Sequence, residues 1–192
     1  MKNLQELISE MHLNTNMNIE EIPDLDLYMD QVIQLFENKY APSKRYPEDK
    51  ILTKTMINNY AKGQLFYPIK NKKYSKNHFL LISLIYQMKG TLTINDVKQT
   101  LHLLNSKITE EDFDLQQLYS SYLELTEANT ETFKKDVVNH EEEVNQLVSK
   151  LQDEDEDYLK QLLLVAVFTN MSNFYRRAAE RIVDEIGRKE TE

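Results

Sequence analysis

Lys54, Thr55, Asn58, Asn59 and Lys62 recur on one side of a stretch whose other side is Met56, Ile57, Tyr60 and Ala61. Lys70, Lys72 and Lys73 follow a short way downstream. Asparagine bonds bidentately to adenine, and lysine reaches guanine or phosphate, when a helix lies in a major groove. A basic turn beside such a helix meets flanking phosphates. The chemistry implied is recognition of double-stranded DNA. Charge supports it: Lys39–Lys76 holds ten Lys/Arg against Glu48 and Asp49, a net +8 in a chain of net −9, so the remainder carries −17. Segregation of this kind suits a polyanion partner. Lys44, Arg45 and Lys76, in the same stretch, are further phosphate-contact candidates.

Other chemistries find little support. There is no Cys, hence no thiolate ligand or nucleophile. His12, His78, His102 and His140 do not share a two-ligand helical spacing. No nucleophile elbow, phosphate-binding glycine loop or dinucleotide fingerprint occurs. Adjacent carboxylates read as solvated faces. The expectation is a non-enzyme with no metal and no cofactor. The longest apolar run, Leu162–Phe168, is too short to span a bilayer, and the N-terminus lacks a secretory apolar core. A cytoplasmic protein with no membrane partner is expected.

The elements that must position these residues are mainly helical, as three Gly and four Pro in 192 residues suggest. Leu4, Leu7, Ile8 and Met11 mark a short helix within 2–13. Asp24 or Asp26 can cap a helix through about Asn38, with Leu27, Val32, Ile33, Leu35 and Phe36 inward. Residues 39–50 read as a loop. Thr53 caps the next helix, Leu52 and Ile57 staple it, and Gly63 is placed to end it in a left-handed turn. Leu65–Ile69 and Tyr74 flank a polar tip, a small β-hairpin or extended wing with Pro68 at an edge. Ser75 opens a nearly all-apolar core helix that Gly90 ends; Thr93 with Asp96 opens another, through about Asn105. Residues 110–152 carry a heptad-like seam, Leu123, Thr126, Thr130, Phe133, Val137, His140, Val144, Leu147 and Leu151. A last helix runs from about Asp157 to Ile186, after an acidic break.

The segment from Leu52 to Leu101 resembles the winged helix-turn-helix domain of the MerR class of bacterial regulators. The matching residues are Tyr60, Gly63, Leu65-Phe66, Tyr74-Ser75, the helix around Leu80–Met88, Gly90, and Ile94–Leu101. The stretch from Ile22 to about Leu104 is also similar to an uncharacterised bacterial family described only as a domain of unknown function. The shared segments are IPDLDLYMDQV, KRYPEDKILTKTMINNYAK and KKYS. The resemblance covers a little under half the chain. It implies a mainly α fold with a small β wing, DNA recognition by the helix after Thr53, and wing contacts to phosphate. Two departures stand out. The loop containing Arg45-Tyr46-Pro47 replaces a tight turn, and Lys or Asn replaces the expected Arg.

The domain organisation so implied is an N-terminal helical extension (1–21), a MerR-like winged helix-turn-helix domain (22–106) and a helical dimerisation or sensor region (107–192). Phe133, Val137, Val144, Leu147, Leu151, Leu163, Val167 and Met171 are the dimerisation candidates, unless these helices pack within one chain. The expected function is a MerR-like DNA-binding transcriptional regulator, homodimeric. The alternative is a helical protein-interaction adaptor using a degenerate winged helix, with no DNA binding. A small-molecule effector is not specified; a deep pocket with convergent polar groups would be its sign.

Overall fold

Side-chain caps set most helix starts in this computed structural model, which describes residues 4–189. The chain runs α1 (Leu4–Glu10), β1 (Leu27–Tyr28), α2 (Met29–Tyr40), α3 (Lys54–Lys62), β2 (Lys73–Tyr74), α4 (Lys76–Met88), α5 (Ile94–Glu110), α6 (Leu115–Val148) and α7 (Glu156–Lys189). It is mainly helical, with one two-stranded antiparallel sheet in which Leu27 pairs with Tyr74 and Tyr28 with Lys73. No helix among the described residues is long and apolar enough to cross a membrane.

The described residues divide into two units, one of 15–124 with 179–189, the other of 4–14 with 125–178. In the larger, α4 is the centre. Phe79, Leu80, Leu81, Ile82 and Ile85 are buried, as the apolar sequence requires. Around them pack Val32 and Phe36 of α2, Ile57 and Tyr60 of α3, Val97 and Leu101 of α5, and Leu115 and Tyr119 of α6. Each such side chain contributes about 1.5–3 kcal/mol on burial. Aromatic pairs tie the layers, with Phe36 and Phe79 centroids 4.9 Å apart and Tyr40 and Tyr86 4.7 Å apart.

Three boundaries differ from expectation. Neither Asp24 nor Asp26 caps α2. Leu27 and Tyr28 are drawn into the sheet, and the Tyr28 N–H donates to Gln31 Oε1 at 2.8 Å instead. Gly63 is not left-handed, having φ −72°. The left-handed residue is Gln64, φ 57°, and the Leu65 N–H closes onto the Tyr60 carbonyl at 3.0 Å, as a Schellman turn requires. Gly63 is needed for another reason: a Cβ there would lie 2.7 Å from Leu65 Cδ1. Helix α5 runs past Asn105 to Glu110, since nothing in that turn breaks it.

In the smaller unit the α6 and α7 segments form an antiparallel pair. Val144, Val148 and Leu164 make its core, with Leu4, Leu159, Leu163 and Phe168 against them. Val137 is buried as well. Thr130, polar on the seam, is satisfied by donating to the Thr126 carbonyl at 3.0 Å. Leu147 and Leu151 are exposed: the buried face of α6 continues from Thr130, Val137 and Val144 to Val148, one turn on, and Leu151 lies past the end of α6.

Candidate nucleic-acid interface

Thr53 Oγ1 accepts from the Met56 N–H at 3.1 Å and fixes the start of α3. Leu52 and Ile57, the staple pair, are both buried, as is Tyr60. The helical period then leaves Lys54, Thr55, Asn58, Asn59 and Lys62 all exposed, on the side away from the core. Lys54 Nζ lies 2.7 Å from Asp30 of α2, both side chains well exposed. Such a pair contributes well under about 1 kcal/mol, so an anion can displace it.

The wing is smaller than a full hairpin and differently paired. Leu65 and Phe66 are buried and belong to no strand. Its tip is Lys70–Lys73, where Asn71 (φ 52°) and Lys72 (φ 59°) are both left-handed and the Lys73 N–H reaches the Lys70 carbonyl at 2.9 Å. Two positive φ values in a two-residue loop are the mark of a type I′ turn. Beyond the tip, the chain pairs with β1 rather than with Leu65–Ile69. Lys73 Nζ sits 5.3 Å from the Tyr28 ring centroid. The α3 start and the wing therefore both abut the opening residues of α2, Lys54 through Asp30 and Lys73 through Tyr28.

Two groups that the sequence reading missed hold this arrangement. Asn105 accepts from the Tyr67 N–H at 2.8 Å and donates to the Leu65 carbonyl at 3.0 Å, clamping the segment between α3 and the wing onto α5. His78 is buried at the root of the wing, its ring 4.0 Å from that of Tyr67. The Ser75 N–H donates to Nδ1 at 3.2 Å, which leaves Nε2–H to donate to the Tyr67 carbonyl at 3.1 Å. Burial pushes this imidazole below its ordinary range, against the opposing pull of the Tyr67 carbonyl and Asp26. Only a neutral ring can both accept and donate in this way.

The basic stretch divides into paired and unpaired cations. Lys39 binds Glu21 at 2.7 Å, Lys76 binds Asp24 at 2.6 Å, and Lys44 is paired with Glu37. The Lys44 and Lys76 side chains are largely covered and end on exposed carboxylates, so these two phosphate-contact candidates are already paired at the surface. Arg45 stands over Tyr46, 5.2 Å from its ring centroid. Lys50, Lys62, Lys70 and Lys72 are exposed and form no ion pair among the described residues. The long loop is anchored by buried Ile51 and Leu52, and Lys89 Nζ donates to the Ile51 carbonyl at 3.2 Å. Burial depresses the Lys89 pKa. Among the described residues, no three His, Asp or Glu side chains gather as a metal site.

The family model described as a domain of unknown function (DUF1836) matches residues 17–122. No curated protein and no solved structure matches the chain.

Proposed function

The chain belongs to the DUF1836 family, a domain of unknown function whose matched region contains the whole basic face; from that face we propose that the protein is a dimeric DNA-binding regulator with a MerR-like winged helix. The observation that carries this reading is the division of α3. Ile57 and Tyr60 are locked in the core, while two lysines, two asparagines and a threonine face solvent. Asn58 and Asn59 address base edges; Lys54, Thr55 and Lys62 address bases or phosphate. Lys70 and Lys72, without an ion pair among the described residues, reach phosphate from the wing, with Lys73 beside them. The order of capped helix ending near Tyr60 and Gly63, buried Leu65-Phe66, basic tip closing on Tyr74 and core helix after Ser75 is the order on which the resemblance to the MerR class rests.

The second copy binds through the hairpin of α6 and α7. Two helices cover only one stripe of each other. Tyr158, Leu162 and Val165, at i, i+4 and i+7, form another exposed stripe on α7, and Leu147 and Leu151 add to the exposed apolar surface near the hairpin turn. Val137 and Val144 are used within the chain. Of the remaining dimerisation candidates, Leu163, Val167 and Met171 are half-buried and Phe133 is exposed.

The test is anisotropy of labelled random and genomic duplexes as salt rises. Six contacted phosphates predict a loss of about 10³-fold between roughly 50 and 200 mM salt. Absence of binding at low salt, with helicity intact, refutes the reading. Capture of an acidic protein in place of DNA would favour an adaptor. Leu162→Glu should convert a dimer to monomer in sedimentation; an unaltered mass overturns this interface.

A further inference from the structure

Between α6 and α7 within the smaller unit lies a cavity of about 370 Å³, apart from the exposed stripe near the hairpin turn. Its walls are apolar and aromatic: Phe133 and Val137 from α6, Phe168, Met171 and Tyr175 from α7. The size lies within the range of pockets that enclose small organic molecules. Its single carboxylate is Asp136, half-buried, which makes no hydrogen bond or ion pair to any described residue. Of the other polar lining groups, His140 Nδ1 faces Glu143 at 3.5 Å. A carboxylate left without a partner beside aromatic rings is poorly placed for a neutral or anionic guest. It is well placed for a cation, which gains both the charge and the ring faces.

We propose that this cavity binds a hydrophobic organic cation, stacked among Phe133, Phe168 and Tyr175 with its charge toward Asp136. This site is separate from the DNA-binding face and stands whether or not that face binds DNA. Met171 supplies an adaptable wall, so the guest is selected by charge and bulk more than by detailed shape.

Tetraphenylphosphonium and tetraphenylborate are nearly the same shape and opposite in charge. Titrated calorimetrically into the full chain, the cation should bind saturably at one site per chain, at least about tenfold tighter than the anion, the factor that 1.4 kcal/mol produces. Asp136→Asn, nearly isosteric and half-exposed, should abolish that preference while circular dichroism stays unchanged. Met171→Trp, which fills the space, should remove binding of both ions. Equal affinity for the two ions overturns the proposal, as does binding that survives both substitutions. Absence of saturable cation binding also overturns it.

Discussion

Lys72→Gly separates the wing's charge from its shape. Lys72 is held at φ 59°, in a turn whose preferred second residue is glycine. A side chain in that region costs about 1–2 kcal/mol, and glycine's extra unfolded-state freedom returns roughly 0.5–1 kcal/mol of it. The variant should therefore be as stable as the parent or up to about 1.5 kcal/mol more so, a rise of no more than roughly 3–6 °C for a chain of this size. The same change deletes one exposed cation that no carboxylate among the described residues neutralises. One phosphate contact contributes a slope of about 0.9 in log affinity against log salt, or roughly eightfold at 0.1 M salt, and a dimer loses two contacts. The assay pairs thermal melts with anisotropy on one random duplex at several salt concentrations. Weaker binding with a slope shallower by about 1.8 and unimpaired stability is the expected result. If affinity and slope are both unmoved while the melt confirms an intact turn, Lys72 touches no phosphate and the wing is not part of the interface. If the melting temperature drops, the argument from backbone conformation is wrong.

Other perturbations address the supporting fold. Since His78 is held below the ordinary imidazole pKa near 6.5, the unfolded chain binds more protons just beneath that pH. Stability should be full above about pH 6.5 and fall as pH drops through the window down to the folded pKa; melts of the parent and His78→Gln should show that part of the slope vanish in the variant. Gly63→Ala sits at a helical φ where alanine normally helps, yet its Cβ would strike buried Leu65, so urea titration should show a loss of about 1–3 kcal/mol. Asn105→Ala strands the Tyr67 N–H and the Leu65 carbonyl, and should cost about 1–3 kcal/mol by the same titration.

What could be seen beforehand were features encoded within one or two turns of chain. The caps at Thr53, Ser75 and Thr93 are all present, because an N-cap and its partner stand three residues apart. The apolar face of α3 and the buried α4 follow from periodicity and composition alone. What could not be seen were bonds between distant elements. The pairing of Leu27 with Tyr74, the Asn105 clamp and the Lys89 bond to Ile51 leave no periodic trace in sequence. The same holds for charge. Counting lysines revealed a basic segment but not that Lys39, Lys44 and Lys76 would be matched by Glu21, Glu37 and Asp24, all three from outside that segment. Gln64, with no residue-type signal for a left-handed conformation, was equally hidden behind its glycine neighbour.

The two-residue sheet also sets a gradient of local stability. Phe36 with Phe79 and Leu27 with Tyr74 close nearly the same length of chain, but the first pair is locked in the buried core and the second is held by a sheet only two residues long. With so few ladder bonds, the wing is the early-opening part of the larger unit. Amide exchange at Tyr28 and Lys73 should accordingly be faster than at Leu81 and Ile82, so that the basic tip can loosen and re-form while the α4 core stays closed.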